Sequence, residues 1–227
     1  MTQIILNEVC KVYKGKGYEV PALQNINLHI ENGEMLGIMG PSGSGKSTLL
    51  NILGCIDAVT SGEYILNGKE ITKYTKKEKA SLRNKQFGFI LQDFALLENY
   101  SVQYNIELPM MYSGISKKDR TKKSRELMNT LGILDKSKMY PNILSGGQRQ
   151  RVAIARALSN DANIILSDEP TGALDSKTSQ EIMKLFHQIN EMGKTIIIVT
   201  HDKMIADNCT RVINIIDGEL KKQDILP

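Results

Sequence analysis

Eight consecutive residues, Gly40-Pro41-Ser42-Gly43-Ser44-Gly45-Lys46-Ser47, have the types and spacing of a phosphate-binding loop, G-x-x-x-x-G-K-[ST]. Glycines let successive main-chain N–H groups turn toward an anion where a Cβ would obstruct the turn or the ligand. A helix opening directly behind the loop adds its unpaired amides and the positive end of its dipole. In that setting the Lys46 ammonium suits the β- and γ-phosphates of a nucleoside triphosphate, and the Ser47 hydroxyl suits Mg2+. Thr48 continues the same opening turn. A ligand-free glycine turn would explain neither the lysine nor the helix start. The chemistry implied is the binding of a nucleoside triphosphate.

Two further runs bear on that ligand. Asn163-Ile164-Ile165-Leu166-Ser167-Asp168-Glu169 reads as an apolar strand ending in carboxylates, which an α/β fold places at the strand edge where ligands bind. Asp168 would help to hold Mg2+, and Glu169, one position on, would orient or deprotonate a water at the γ-phosphate. Leu144-Ser145-Gly146-Gly147-Gln148 opens a second helix on a serine and two glycines, again pointing bare amides at an anion, with Pro141 breaking the chain just before it. The two helix openings lie about a hundred residues apart, and one triphosphate needs only one such loop.

The elements that must position these residues follow from pattern. Glu34–Met39 reads as a buried strand leading into the loop, and Ser47–Leu53 as the helix leaving it. Before them, Ile4–Tyr13 and the alternating Val20–Ile30 read as strands, separated by the turn-like Lys14-Gly15-Lys16-Gly17. Beyond them come a strand and tight turn over Ser61–Lys69, a helix over 75–85 and a strand over Phe87–Leu91. From about Asp93 to Leu158 the pattern is helical, with Ser116 capping a helix that Gly132 ends. The last third alternates again: strand Asn163–Ser167, helix Ser176–Met192, strand Thr195–Thr200, a short helix near Ala206 and strand Val212–Ile216. The turn Asp217-Gly218-Glu219 then leads into a last strand. The expectation is an α/β core, strands first, with a helical insertion in its middle.

Composition bounds the function classes. At 227 residues, 41% apolar and 24% charged, the chain has ordinary globular proportions, and no apolar run approaches the roughly 20 residues that span a bilayer. The N-terminus lacks the basic start and apolar run of a signal peptide. Cys10, Cys55 and Cys209 have no metal-like spacing, so reduced thiols and a cytoplasmic location are expected. Net charge is +4, concentrated in Lys73–Lys85 and Lys117–Arg125. These runs read as solvated helix faces or, more sharply, as surfaces near anionic headgroups. Nucleic acid is not expected, since no stacking aromatics are interleaved with the lysines.

Taken together, residues 40–47, 144–148 and 164–169 resemble the ATP-binding cassette ATPases, and the similarity extends over essentially the whole chain. The resemblance implies a P-loop NTPase core with a RecA-like, mostly parallel sheet. It also implies an N-terminal antiparallel β subdomain and a helical subdomain at about 93–158, all within one nucleotide-binding domain. It implies ATP and Mg2+ as ligands and a homodimer in which Ser145, Gly146, Gly147 and Gln148 of one copy close over ATP held by the other. Matched singly, Tyr13 falls at the adenine-stacking aromatic and Gln92 at the glutamine contacting Mg2+ and the attacking water. Asp175 falls at the interface aspartate and His201 at the γ-phosphate histidine. The implied catalytic set is Glu169, His201, Gln92 and Lys46, and the implied metal set is Ser47, Gln92 and Asp168.

Asp168–Ser176 and Asn105–Gly114 are similar to the macrolide-exporter and lipoprotein-release ATPases, and also to those of bacitracin-type peptide resistance systems. Leu91, where relatives commonly carry an aromatic, is a departure. The implied function is ATP hydrolysis that powers export or mechanotransmission by an integral membrane permease, with this chain peripheral on the inner face of the membrane. Regulation of a cell-wall hydrolase or sensor through a membrane partner is an alternative, as is a soluble cassette acting on DNA or ribosomes. That last class carries long insertions or tandem cassettes, which this chain lacks. Apolar residues crowd the segment after Gln92, and Leu97 and Tyr104 are candidates to line a groove for a partner's cytoplasmic helix.

Overall fold

A computed structural model describes residues 2–15 and 17–221. The strands are β1 (Thr2–Gly15), β2 (Tyr18–Glu31), β3 (Met35–Met39), β4 (Ser61–Leu66), β5 (Lys69–Glu70), β6 (Phe87–Ile90), β7 (Ile164–Asp168), β8 (Thr195–Val199), β9 (Arg211–Ile216) and β10 (Glu219–Lys221). The helices are α1 (Lys46–Leu53), α2 (Lys76–Gln86), α3 (Val102–Tyr112), α4 (Lys117–Thr130), α5 (Gly146–Leu158), α6 (Ser176–Glu191) and α7 (Lys203–Ala206).

Two sheets form. One is antiparallel, in the order β2-β1-β4-β5; the other runs β10-β9-β3-β8-β7-β6 and is parallel except for β10. Side chains alternate across the second sheet because successive Cβ atoms point to opposite faces. Leu36, Ile38, Ile164, Leu166, Ile197 and Val199 meet α1 and the antiparallel sheet through Leu49, Ile52, Ile4 and Leu6. Met35, Ile165, Ile196 and Ile198 face the other way, onto Val152, Ala153, Ile182 and Phe186 of α5 and α6. The sheet is therefore buried on both faces, as parallel sheets require. Among the described residues no helix is long and apolar enough to cross a membrane.

Local chemistry sets the ends of the elements. Thr75 and Glu78 form a reciprocal capping box at α2, and the Ser116 hydroxyl accepts from the Asp119 amide at α4, as expected for that serine. Gly132, at φ 67, follows α4 in the left-handed conformation that ends helices. Lys16, within the expected first turn, lies outside the described residues. The segment expected to be helical from Asp93 differs at its start. Residues 93–101 are turns, with Phe94 and Ala95 at φ 62 and 44, and the first helix begins only after Ser101 caps α3.

Candidate active site

The loop 40–47 leaves the carboxyl end of β3 and enters α1. Gly40 has φ 152, and a Cβ there would lie 2.1 Å from the Ile215 carbonyl oxygen, so only glycine fits between the loop and β9. The Ser44 carbonyl accepts from the Gly218 amide at 3.0 Å, fastening the loop to the β9–β10 turn. Lys46 Nζ donates to the carbonyls of Gly40 and Pro41, each at 2.8 Å, and so bridges the loop's first turn. The Ser44 hydroxyl is buried in the loop with no partner among the described residues. A hollow of about 220 Å³ beside the loop is lined by Gly43, Gly45, Lys46, Ser47 and Thr48 together with Val20, Pro21 and Ala22 of β2.

Sheet order places the remaining groups. From β3 the neighbours run β8, β7, β6, so the carboxyl ends present the loop, then Thr200-His201, then Asp168-Glu169, then Gln92 along one edge. Glu169 takes left-handed backbone at φ 47, and its amide donates to the Val199 carbonyl at 2.9 Å. Its carboxylate is then held from the β8 side. Thr200 Oγ1 donates to Oε2 at 3.1 Å, the His201 amide donates to Oε1 at 3.1 Å, and His201 Nδ1 lies 2.6 Å from Oε1. Gln92 comes close to the same place: a Cβ on Gly172 would lie 3.6 Å from Glu169 Cβ and 3.8 Å from Gln92 Nε2.

Ser47 Oγ donates to Asp168 Oδ2 at 3.2 Å, so a hydroxyl and a carboxylate oxygen already face each other. Burial pushes the Asp168 carboxyl above its ordinary range; the Ser47 hydrogen bond and the Lys46 charge offset part of that, and the Glu169 charge adds to it. Two hard oxygen donors, one on a carboxylate short of positive charge, fit Mg2+, which takes few protein ligands and completes its shell with phosphate and water. Among the described residues no cluster of three His, Cys, Asp or Glu side chains competes as a metal site.

Tyr13 sits on β1 beside α1. Its hydroxyl donates to Asp57 Oδ2 at 2.7 Å, and Lys11 Nζ lies 4.7 Å from the ring centroid. Lys11 in turn donates to Asp57 Oδ1 at 2.6 Å and to the Ala58 carbonyl at 2.8 Å. Burial alone would raise the Asp57 carboxyl, but the bonds from Lys11, Tyr13 and the Ala58 amide outweigh it and hold that carboxyl below its ordinary range. Neither Lys11 nor Asp57 belongs to a motif; Lys11 stands two positions before Tyr13 on β1, and the fold brings Asp57 to both.

The Ser145 segment is arranged differently. Ser145 Oγ accepts from the Gln148 amide at 3.3 Å, and Gln148 Oε1 accepts from the Ser145 amide at 3.0 Å, a reciprocal cap on α5. Gly147 is required by packing, since a Cβ there would lie 2.7 Å from Thr178 Cγ2 at the start of α6. Asp175 caps α6, accepting from the Thr178 amide at 3.0 Å and from its hydroxyl at 2.6 Å. The apolar side of α5 packs in the layer opposite the one holding α1. Ser145, Gly146, Gly147 and Gln148 are thus gathered with Asp175 and α6, not over the phosphate loop of the same chain.

The sequence pattern described as ABC transporter matches residues 23–172. The chain belongs to the ABC transporter family. It is 48% identical over 217 residues to an uncharacterised ABC transporter ATP-binding protein, YknY, of Bacillus subtilis, covering 96% of this chain and 94% of that one. It is 47% identical over 221 residues to the macrolide export ATP-binding/permease protein MacB of Shigella flexneri, covering 97% of this chain but 34% of that longer protein. A solved ATP-binding cassette, in a dimeric post-hydrolysis state bound to ADP and Pi, superposes with a TM-score of 0.90 at 42% identity, covering 96% of this chain and 97% of that one. The fold is the P-loop NTPase cassette, and this ABC chain is an ATP-binding, ATP-hydrolysing subunit that powers a membrane transporter.

Proposed function

We propose that two copies of this chain enclose two ATP molecules head to tail. Residues 40–48 of one copy would hold each triphosphate, with the Tyr13 ring against the adenine. Ser145, Gly146, Gly147 and Gln148 of the other copy would cover it, and Asp175 would stand at the junction. Two observations favour a shared site: α1 and α5 occupy opposite layers of one chain, and a dimeric cassette is among its structural relatives.

Within each site Glu169 takes the proton of the attacking water, while Gln92 and His201 position that water and the γ-phosphate. Lys46 stays on the β- and γ-phosphates. Ser47, Asp168 and Gln92 would hold Mg2+, which when bound neutralises charge on the β- and γ-oxygens. The observation that carries this assignment is the Glu169 carboxylate, anchored by the Thr200 hydroxyl and the His201 amide on the strand next to its own.

The membrane partner would dock at a groove of about 550 Å³ between α2, β6, α3 and α5, with Ile56, Phe89, Leu108, Pro109 and Tyr112 in its wall. Leu97 and Tyr104, the candidates named from sequence, are not in its wall. Tyr104 stacks on Tyr100 with centroids 4.3 Å apart, and Leu97 is 40% exposed on a turn outside the groove. Tyr112 is 80% exposed and Ile56 53%, and such apolar surface beside a hollow is suited to a permease's cytoplasmic helix. The chain would then lie on the inner face of the membrane through that permease. The transported class would be macrolide, antimicrobial peptide or lipoprotein, by export or mechanotransmission. Co-expression with candidate permeases tests this: co-purification and stimulated ATP hydrolysis are expected, both lost in Ile56→Glu. Recruitment that survives Ile56→Glu and Tyr112→Glu together would place the docking site elsewhere.

A further inference from the structure

The turn that follows Gln92 is held in an unusual shape by a residue far along the chain. Phe94 and Ala95 are consecutive left-handed residues, at φ 62 and 44, and neither is glycine. Such backbone persists only where its surroundings over-determine it. Here the surroundings are Arg156 of α5, whose Nη2 donates to the Phe94 carbonyl at 2.8 Å and whose Nη1 donates to the Ala95 carbonyl. The planar guanidinium fork meets the two adjacent carbonyls with one donor from each Nη. Asn105, fully buried on α3, fixes the other end of the turn. It accepts from the Leu97 amide at 2.7 Å and donates to the carbonyls of Leu97, Tyr100 and Ser101.

Arg156 lies near the end of the helix that Ser145 caps. We propose that Arg156 is a positioning residue that joins the loop carrying Gln92 to the helix opened by Ser145, so that the two move as one body. The proposal rests on the roles given above to Gln92 and Ser145. In the head-to-tail dimer Gln92 faces the chain's own ATP while Ser145 covers the ATP of the second copy. The Arg156 fork therefore links the two nucleotide sites through one chain. Ala95 and Arg156 also line the docking groove, so a segment seated there touches the joint itself.

The test compares wild type, Arg156→Met, Arg156→Lys and Gln92→Ala in steady-state ATP hydrolysis with Mg2+, alongside amide hydrogen exchange. In Arg156→Met, kcat should fall about 10- to 100-fold, the scale of a misplaced catalytic group, with KM for ATP within about two-fold. Exchange should rise over residues 93–98 while β7 and α6 stay protected. Arg156→Lys, which keeps the charge but loses the planar fork, should fall between the two in both readouts, and it carries the test should Arg156→Met not fold. Wild-type kcat in Arg156→Met beside a slow Gln92→Ala overturns the proposal alone. Wild-type kcat in Gln92→Ala overturns the role of Gln92 and the proposal with it. Exchange that rises throughout 102–158, or a loss confined to KM, reduces Arg156 to a support of the helical layer and overturns the proposal.

Discussion

Nδ1 of His201 lies 2.6 Å from Oε1 of Glu169, and the same oxygen accepts the His201 amide at 3.1 Å. The two residues end adjacent parallel strands, so the contact is a direct result of β7 lying beside β8. The carboxylate side chain is only 13% exposed, whereas that of the histidine is 74% exposed. The carboxylate is thus held from behind by residues that follow the neighbouring strand, and the imidazole stays accessible to a ligand at the edge of the sheet. With Nδ1 donating to the carboxylate, Nε2 is the ring atom left to meet that ligand.

Glu169→Gln keeps the side-chain shape and can still accept the His201 amide, but it cannot take up a proton. ATP hydrolysis should fall by about 10²–10⁴-fold, the usual worth of a general base. Unhydrolysed ATP should then hold two copies together, visible as a dimer in size-exclusion chromatography with ATP and Mg2+. Adding Ser145→Arg should return the chain to monomer. Near-normal phosphate release in Glu169→Gln would remove this residue from the reaction.

Thr200→Val tests how far the anchoring matters. Thr200 is 1% exposed, and valine fills its space while deleting the 3.1 Å donor to Glu169 Oε2. One hydrogen bond to a carboxylate is worth enough for a kcat loss of about tenfold. KM for ATP should hold steady, because the hydroxyl touches the base and not the phosphates. A change in KM alone would show that Thr200 serves the nucleotide directly.

Lys46→Ala removes both the bridge across Gly40 and Pro41 and the positive charge facing the phosphates. ATP affinity and turnover should both drop, by about tenfold or more in affinity for the loss of a charge-assisted contact. Lys46→Arg should not restore them, since the broad guanidinium does not fit the place of a compact ammonium inside the loop. Isothermal titration with a non-hydrolysed ATP analogue separates binding from turnover.

Asp168→Asn should separate stability from activity. Burial raises the Asp168 carboxyl, so the folded chain keeps this proton to a higher pH than the unfolded chain does. Stability from this group is therefore present below the unfolded value, about 3.9, and is lost as the pH rises through the higher folded value. Asparagine has no proton to lose. Thermal melts from acid to neutral pH should show a smaller decline in Asp168→Asn than in wild type, with a higher Tm at neutral pH. Hydrolysis should nevertheless fall by about 10²-fold or more with the loss of the proposed metal ligand. An unchanged pH profile would mean that Asp168 carries no strain from burial.

The phosphate loop, the carboxylate pair and most strands were legible because each is written in consecutive residues: a spacing rule, an apolar run, an alternation. The contacts that refine the site are written across distance and left no local trace. Asp57 reaches Tyr13 from 44 positions away, and Arg156 reaches Ala95 from 61. Gly147 looks like an anion-binding glycine in sequence, yet the nearest obstacle to a side chain there is Thr178 of a later helix. Asp175 likewise reads as an interface residue, while in the folded chain its carboxylate caps α6. At Gly147 a local motif and a long-range packing demand fall on one residue, and only the second needs the fold to be seen, whereas the Asp175 cap spans just three positions. The turn at 93–101 was hidden for a similar reason, since nothing in Phe94-Ala95 announces left-handed backbone.

The strand that carries the phosphate loop pairs with β8 on one side and β9 on the other, both lying beyond residue 194. The loop itself leans on the Ile215 carbonyl and is tied to Gly218. On a ribosome, then, residues 40–47 emerge early and wait. Until about residue 218 has cleared the exit tunnel, β3 lacks its β9 neighbour and the loop has no wall to close against. A nascent chain halted before that point holds the whole phosphate-binding motif and cannot assemble the nucleotide site. Translation order thus sets ATP binding behind the synthesis of every strand that walls the loop.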